Sequence, residues 1–120
     1  MVRREAQRLD DILRAIGELR AFTSGMDAGA FLADRTVQQA CAAALTVIGE
    51  AVKALPPDLR GRHATIEWAE WAGLRDLLVH QYFRIDQQRI WRIIERDLPP
   101  LETVARMELE RAVRSSSENS

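Results

Sequence analysis

Cysteine is nearly missing from this chain, and lysine is as scarce. The one cysteine in 120 residues, Cys41, rules out an internal disulfide and suits a reducing compartment, so the expected location is the cytoplasm. Ala40 and Ala42 to Ala44 surround Cys41, so it reads as a small buried residue rather than a nucleophile. With only two histidines, His63 and His80, there are too few Cys and His for a zinc site. Neither histidine follows a Glu by three residues, as carboxylate metal centres in helical bundles require. The six glycines form no phosphate-cradling loop. Metal and cofactor are therefore both expected to be absent. No apolar run approaches the ~20 residues of a membrane span, and the start, Met-Val-Arg-Arg-Glu, lacks the apolar core of a signal peptide. A formal net charge of −1 gives no global basic signal for nucleic acid. Lys53 is the one lysine among 17 Lys and Arg.

What is present is helical periodicity. With 47% hydrophobic and 29% charged residues, the composition is that of a single globular domain. That domain is expected over residues 1–114, with a Ser-rich disordered tail at 115–120. Leu9, Ile12, Leu13, Ile16 and Leu19 predict a first helix over about 2–22. Arg14 and Glu18 on its outer side have the spacing of an ion pair. Asp27 caps a short turn carrying Phe31 and Leu32. Asp34 opens a second long helix over about 35–55, with Val37, Cys41, Ala44, Leu45, Ile48, Val52 and Leu55 inward. Its flank of Ala40, Ala43, Val47 and Ala51 suggests close packing on a second side, as in a bundle that dimerises. Pro56-Pro57 stops it, and a polar connection follows in which His63 reads as a loop residue with no carboxylate nearby in sequence. Thr65 is the expected cap of a third helix over about 67–81, anchored by Trp68 and Trp71. Asp86 caps a fourth, with Ile90, Trp91, Ile93, Ile94 and Leu98 apolar, and its arginines Arg89, Arg92 and Arg96, with Arg84 just before them, are the only local basic density. Pro99-Pro100 breaks and restarts the chain as a last helix. The fold class is all-α: an antiparallel bundle of four main helices plus short ones.

The third helix carries the chemistry. In Trp71 to Phe83, Leu74, Leu77, Leu78 and Gln81 recur at i, i+3, i+4, i+7, marking a core face. Arg75, Asp76 and His80 occupy another arc of roughly 140°, which they share with Trp68, Ala69, Ala72 and Val79. A solvated face would not normally carry Trp, Val and alanines around an Arg and a His, so this arc reads as a second contact surface. Arg is a permanent cation with a donor fork suited to phosphate. His moves a proton near neutral pH. Together they suffice for RNA cleavage without a metal. Asp76, one turn before His80, can orient the imidazole or accept from Arg75. The bare spacing Arg-x4-His is a weak signal, equally open to a surface ion pair and a histidine at a helix end.

The surrounding residues add a resemblance. Gly73-Leu74-Arg75-Asp76-Leu77-Leu78-Val79-His80-Gln81-Tyr82-Phe83 resembles the signature of the HepT-like branch of the HEPN superfamily. So do, in order, Leu9-Asp10-Asp11-Ile12-Leu13, Phe31-Leu32-Ala33-Asp34, Ile48-Gly49-Glu50-Ala51, Leu55-Pro56 and Leu98-Pro99-Pro100-Leu101. The resemblance covers about residues 3–110. It implies a two-fold homodimer of helical bundles acting as a metal-independent endoribonuclease on an RNA substrate, the toxin of a type VII toxin–antitoxin system. Arg75 would bind phosphate, His80 would be the general base, and Asp76 would fill the polar slot after the Arg. Both protomers would contribute to one composite site. Tyr82 matches the tyrosine that a cognate minimal nucleotidyltransferase antitoxin adenylylates, and Glu50 would have a supporting role near the dimer seam. The alternative is a non-catalytic helical partner or substrate-binding subunit of that nucleotidyltransferase.

Overall fold

A computed structural model describes residues 2–118 of the chain. Among them every regular element is helical: α1 (Val2–Phe22), α2 (Ala28–Leu32), α3 (Arg35–Ala54), α4 (Pro57–Arg62), α5 (Trp68–His80), a 3-10 turn (Tyr82–Arg84), α6 (Gln87–Arg92), a π-helical turn (Ile93–Asp97) and α7 (Leu98–Glu118). The long helices pack in the order α7, α1, α3, α5: α1 touches α7 and α3, and α3 touches α5. The end of α1 meets the start of α7, where Arg20 pairs with Glu102, so these two helices run antiparallel.

The stripes are where periodicity puts them. Leu9, Ile12, Ile16 and Leu19 of α1 meet Cys41, Leu45, Ile48 and Val52 of α3, all buried. Burial pushes the Cys41 thiol up to about 11, so it stays protonated and apolar in character at neutral pH. Leu98, Leu101, Val104 and Ala105 of α7 close the core from the other side of α1. Arg20 on α1 donates to Glu102 on α7 at 2.6 Å. Asp27, Asp34 and Asp86 accept from the backbone amides of Ala30, Val37 and Gln88 and so cap α2, α3 and α6.

Several expectations change. Arg14 pairs with Asp10 at 3.0 Å rather than with Glu18. The connection after α3 is itself helical: Pro57 sits in the first turn of α4, where its missing N–H costs nothing, and Leu59 docks it in the core. Thr65 does not cap α5, which begins at Trp68 after Glu67 with no side-chain cap; Trp68 instead fixes that end by donating to the Arg60 and His63 carbonyls at 3.0 Å each. Pro99 and Pro100 do not interrupt the chain, because α6, the π turn and α7 are continuous. Prolines cannot donate to the carbonyls four residues back; the backbone widens there, and Leu98 N–H bonds the Ile93 carbonyl. The last helix extends through Ser115 to Glu118, since no Gly or Pro follows Pro100 to end it. Of the expected tail, residues 119–120 lie outside the described residues. No helix among the described residues is long and apolar enough to cross a membrane.

Candidate active site

The site begins with a glycine. Where α3 crosses α5, Gly49 is buried, and a Cβ placed on it would overlap the Arg75 Cβ and lie 2.9 Å from the Trp71 carbonyl oxygen. Only a residue without a side chain lets the helices approach this closely. The approach sets Arg75 beside the last turns of α3. Its Nη2 pairs with the Glu50 carboxylate, its Nη1 donates to Asp76 Oδ1 at 3.0 Å, and its Nε is buried without a partner. Asp76 Oδ1 also accepts from Lys53 Nζ at 2.7 Å. Four residues from two helices thus form one network in which two cations face two carboxylates. Hydrogen bonding to Asp76, and then the Glu50 charge, raises the Arg75 pKa. The bonds from Lys53 and then Arg75 hold the Asp76 carboxyl below the usual range.

His80 is the last residue of α5 and is exposed. No side-chain hydrogen bond or ion pair joins it to Asp76 or to any other described residue, so the orienting role expected of Asp76 is not seen; Asp76 is taken up by Arg75 and Lys53. The chain leaves the helix at Gln81 (φ −140°, ψ 36°) and turns through Tyr82 to Arg84. Gln81, expected inward, is exposed, because the helical period ends one residue before it. His80 and Tyr82 line an open notch with Gln81, Phe83 and Arg84. Tyr82 is half-buried against the core, with its ring edge-on to Phe83 at 5.5 Å.

The surface joining these groups is apolar. Val79 is 49% exposed, Val47 on the neighbouring face of α3 is 46%, and Phe83 is 90%. Ala43 and Ala69 are exposed on the same two helices. Of the residues expected on the second side of α3 and α5, Ala43, Val47, Ala69 and Val79 are exposed, whereas Ala51 is buried in the core and Trp68 packs against it. The structure brings Glu50, Arg75 and Asp76 together and leaves His80 and Tyr82 in a separate notch one turn further on. Sequence reasoning missed Lys53. Its rarity was visible, but its pairing with Asp76, 23 residues away, depends on the α3–α5 crossing.

His63 lies in a turn, as expected of a loop residue, but it has a partner that its sequence neighbours do not show. It ends α4, and its Nε2 lies 2.6 Å from Glu108 Oε2; Arg62 Nη2 donates to Glu108 Oε1 at 2.7 Å. Burial alone would raise the Glu108 carboxyl, but the bonds and charges of Arg62 and His63 outweigh it and hold it below the usual carboxylate range. This cluster ties α4 to α7. Among the described residues no three His, Cys, Asp or Glu side chains are grouped to hold a metal ion.

A family model of HepT-like ribonucleases matches residues 12–107, a span that takes in the whole site. The chain belongs to the HepT-like ribonuclease family. It is 39% identical over 101 residues to "Probable ribonuclease HepT" of Thermococcus cleftensis, covering 84% of this chain and 92% of that protein. It is 38% identical over 93 residues to "Putative RNase MJ0125" of Methanocaldococcus jannaschii, covering 78% and 80%. A third relative, "Putative RNase TTE0752" of Caldanaerobacter subterraneus, is 37% identical over 94 residues, covering 78% and 84%. No solved structure matches the chain at a significant level. The family and the names of these relatives support a ribonuclease activity.

Proposed function

We propose that this chain is a metal-independent endoribonuclease, the toxin of a type VII toxin–antitoxin pair, acting as a two-fold homodimer with a composite site. His80, with its side chain exposed, takes the proton of the RNA 2′-hydroxyl. The 2′-oxygen attacks the adjacent phosphorus and the bond to the 5′-oxygen breaks. That oxygen takes a proton from water as it leaves, and a 2′,3′-cyclic phosphate remains. Arg75, always cationic, offsets the charge that builds on the phosphoryl oxygens. Asp76 holds one edge of the guanidinium and Glu50 the other.

The observation that carries this reading is the arrangement on α5. Arg75 and His80 are five residues apart and turned about 140° from each other, so one copy does not close both on a single phosphodiester. The surface around them exposes Val79 and Val47, an apolar face suited to a second copy. A two-fold partner covering it would set the Arg75 of one protomer near the His80 of the other.

Tyr82 is the modification site in this reading. A cognate minimal nucleotidyltransferase transfers AMP from ATP to the Tyr82 hydroxyl and releases pyrophosphate. The new phosphodiester puts a negative charge and a bulky nucleoside into the notch that holds His80, where they repel and exclude RNA.

One observation favours a second reading, a non-catalytic binding partner or substrate-binding subunit of that nucleotidyltransferase. The two carboxylates beside Arg75 each already engage one of its terminal nitrogens. Expression of the chain alone separates the two. Growth arrest and chelator-resistant RNA decay, lost in folded, dimeric His80→Ala and Arg75→Ala variants, support the nuclease. Intact RNA with retained binding to the nucleotidyltransferase supports the second reading.

A further inference from the structure

A cavity of about 280 Å³ lies between the start of α5, the π turn and the first residues of α7. It shares no lining residue with the candidate active site: Trp71 and Leu74, which line it with Ile66 and Ile93, lie about 120–180° around α5 from Asp76 and His80, and about 40–100° from Arg75. One wall carries Arg89, Arg92 and Arg96. These follow one another by single turns of α6 and the π segment, all exposed. None makes an ion pair with a described carboxylate, and like charges so spaced repel. The cavity is also lined by Glu70 and Asp97. Partial burial and then the Glu70 charge push the Asp97 carboxyl up, with Arg96 pulling the other way. Ile93, Arg96 and Asp97 belong to the π turn, a widened segment of a kind often found at functional sites.

We propose that this cavity is a second binding site, which takes one ribonucleotide. The arginines receive its phosphate, the apolar floor its base, and Glu70 and Asp97 the amino group or ring N–H at the base edge. The volume is at the small end of ligand sites, roughly 300–1,000 Å³, room for one nucleotide and not two. The occupant is a residue of an RNA strand or a free nucleotide; the chemistry is shared.

The test titrates the full chain with AMP, GMP, CMP, UMP and inorganic phosphate, following tryptophan fluorescence and calorimetry. The expected result is saturable binding of the nucleotides, strongest for GMP, which offers both an amino group and a ring N–H, with phosphate alone weaker than any of them. Arg92→Ala/Arg96→Ala weakens it about tenfold or more, while Arg111→Ala/Arg114→Ala, equal in charge removed but outside the cavity, leaves it unchanged. Absence of saturation, or equal loss in both double variants, overturns the proposal. Competition by GMP against a labelled oligoribonucleotide, removed by Arg92→Ala/Arg96→Ala, identifies the occupant as a residue of the RNA. Nucleotide binding without competition identifies it as a free nucleotide. Neither measurement needs cleavage, so the proposal stands or falls apart from the nuclease reading.

Discussion

Gly49 and Arg75 are packed backbone to side-chain root, with no room between them for a methyl group. The atom a substitution would strike is the Arg75 Cβ, which cannot swing away as the tip of a long side chain can. Alanine at position 49 must therefore move α3 relative to α5. We expect Gly49→Ala to cost about 1–3 kcal/mol of stability, roughly 4–12 °C in Tm for a domain of this size. It should reduce RNA cleavage further than that loss explains, because the network of Glu50, Lys53 and Asp76 around Arg75 is displaced. Gly17→Ala on α1, where nothing lies within 4 Å, is the control and should be neutral or stabilising. Equal melting temperatures for Gly49→Ala and the natural chain would contradict the packing described.

Glu50 holds the guanidinium that the proposed reaction needs for phosphate. Glu50→Gln keeps the shape and removes the competing charge. The variant should bind a non-cleavable oligoribonucleotide up to about fivefold more tightly, and Arg75→Ala should abolish that gain. Weaker binding in Glu50→Gln would mean that Glu50 positions Arg75 for substrate instead of restraining it.

Glu108 gives a pH dependence with a definite sign. Its carboxyl is held below the usual range in the folded chain. Its stabilisation is therefore present above the ordinary carboxylate range and lost as pH falls through the lowered value. Glu108→Gln should cost about 1–3 kcal/mol at neutral pH and give a shallower loss of stability on acidification. Urea unfolding across a pH series measures both, and parallel acid limbs in the two proteins would remove Glu108 from the account.

Much of this was legible in the sequence, for local reasons. The stripes of α1 and α3, the three aspartate caps and the position of Arg75 to His80 at a helix end all follow from spacing within one helix. What was not legible depends on how helices meet. Gly49 stood in a recognisable Ile48-Gly49-Glu50-Ala51 run, but nothing local says that it faces Arg75. The Lys53–Asp76 and His63–Glu108 pairs join residues 23 and 45 positions apart, and no periodicity specifies them. Gln81 failed for the opposite reason: the heptad-like spacing continued past the residue at which the backbone leaves the helix. The π turn escaped because paired prolines mark a helix start, while the structure uses them to widen a helix that never stops.

The central claim is that Arg75 and His80 act across a two-fold axis, and co-expression of two inactive variants tests it most directly. Differently tagged Arg75→Ala and His80→Ala chains are purified together as mixed dimers. Each mixed dimer holds one intact Arg75 and one intact His80, on different protomers. The composite site predicts that mixed dimers regain RNA cleavage absent from either parent. Mixed dimers that are folded, paired and as inactive as their parents would contradict it.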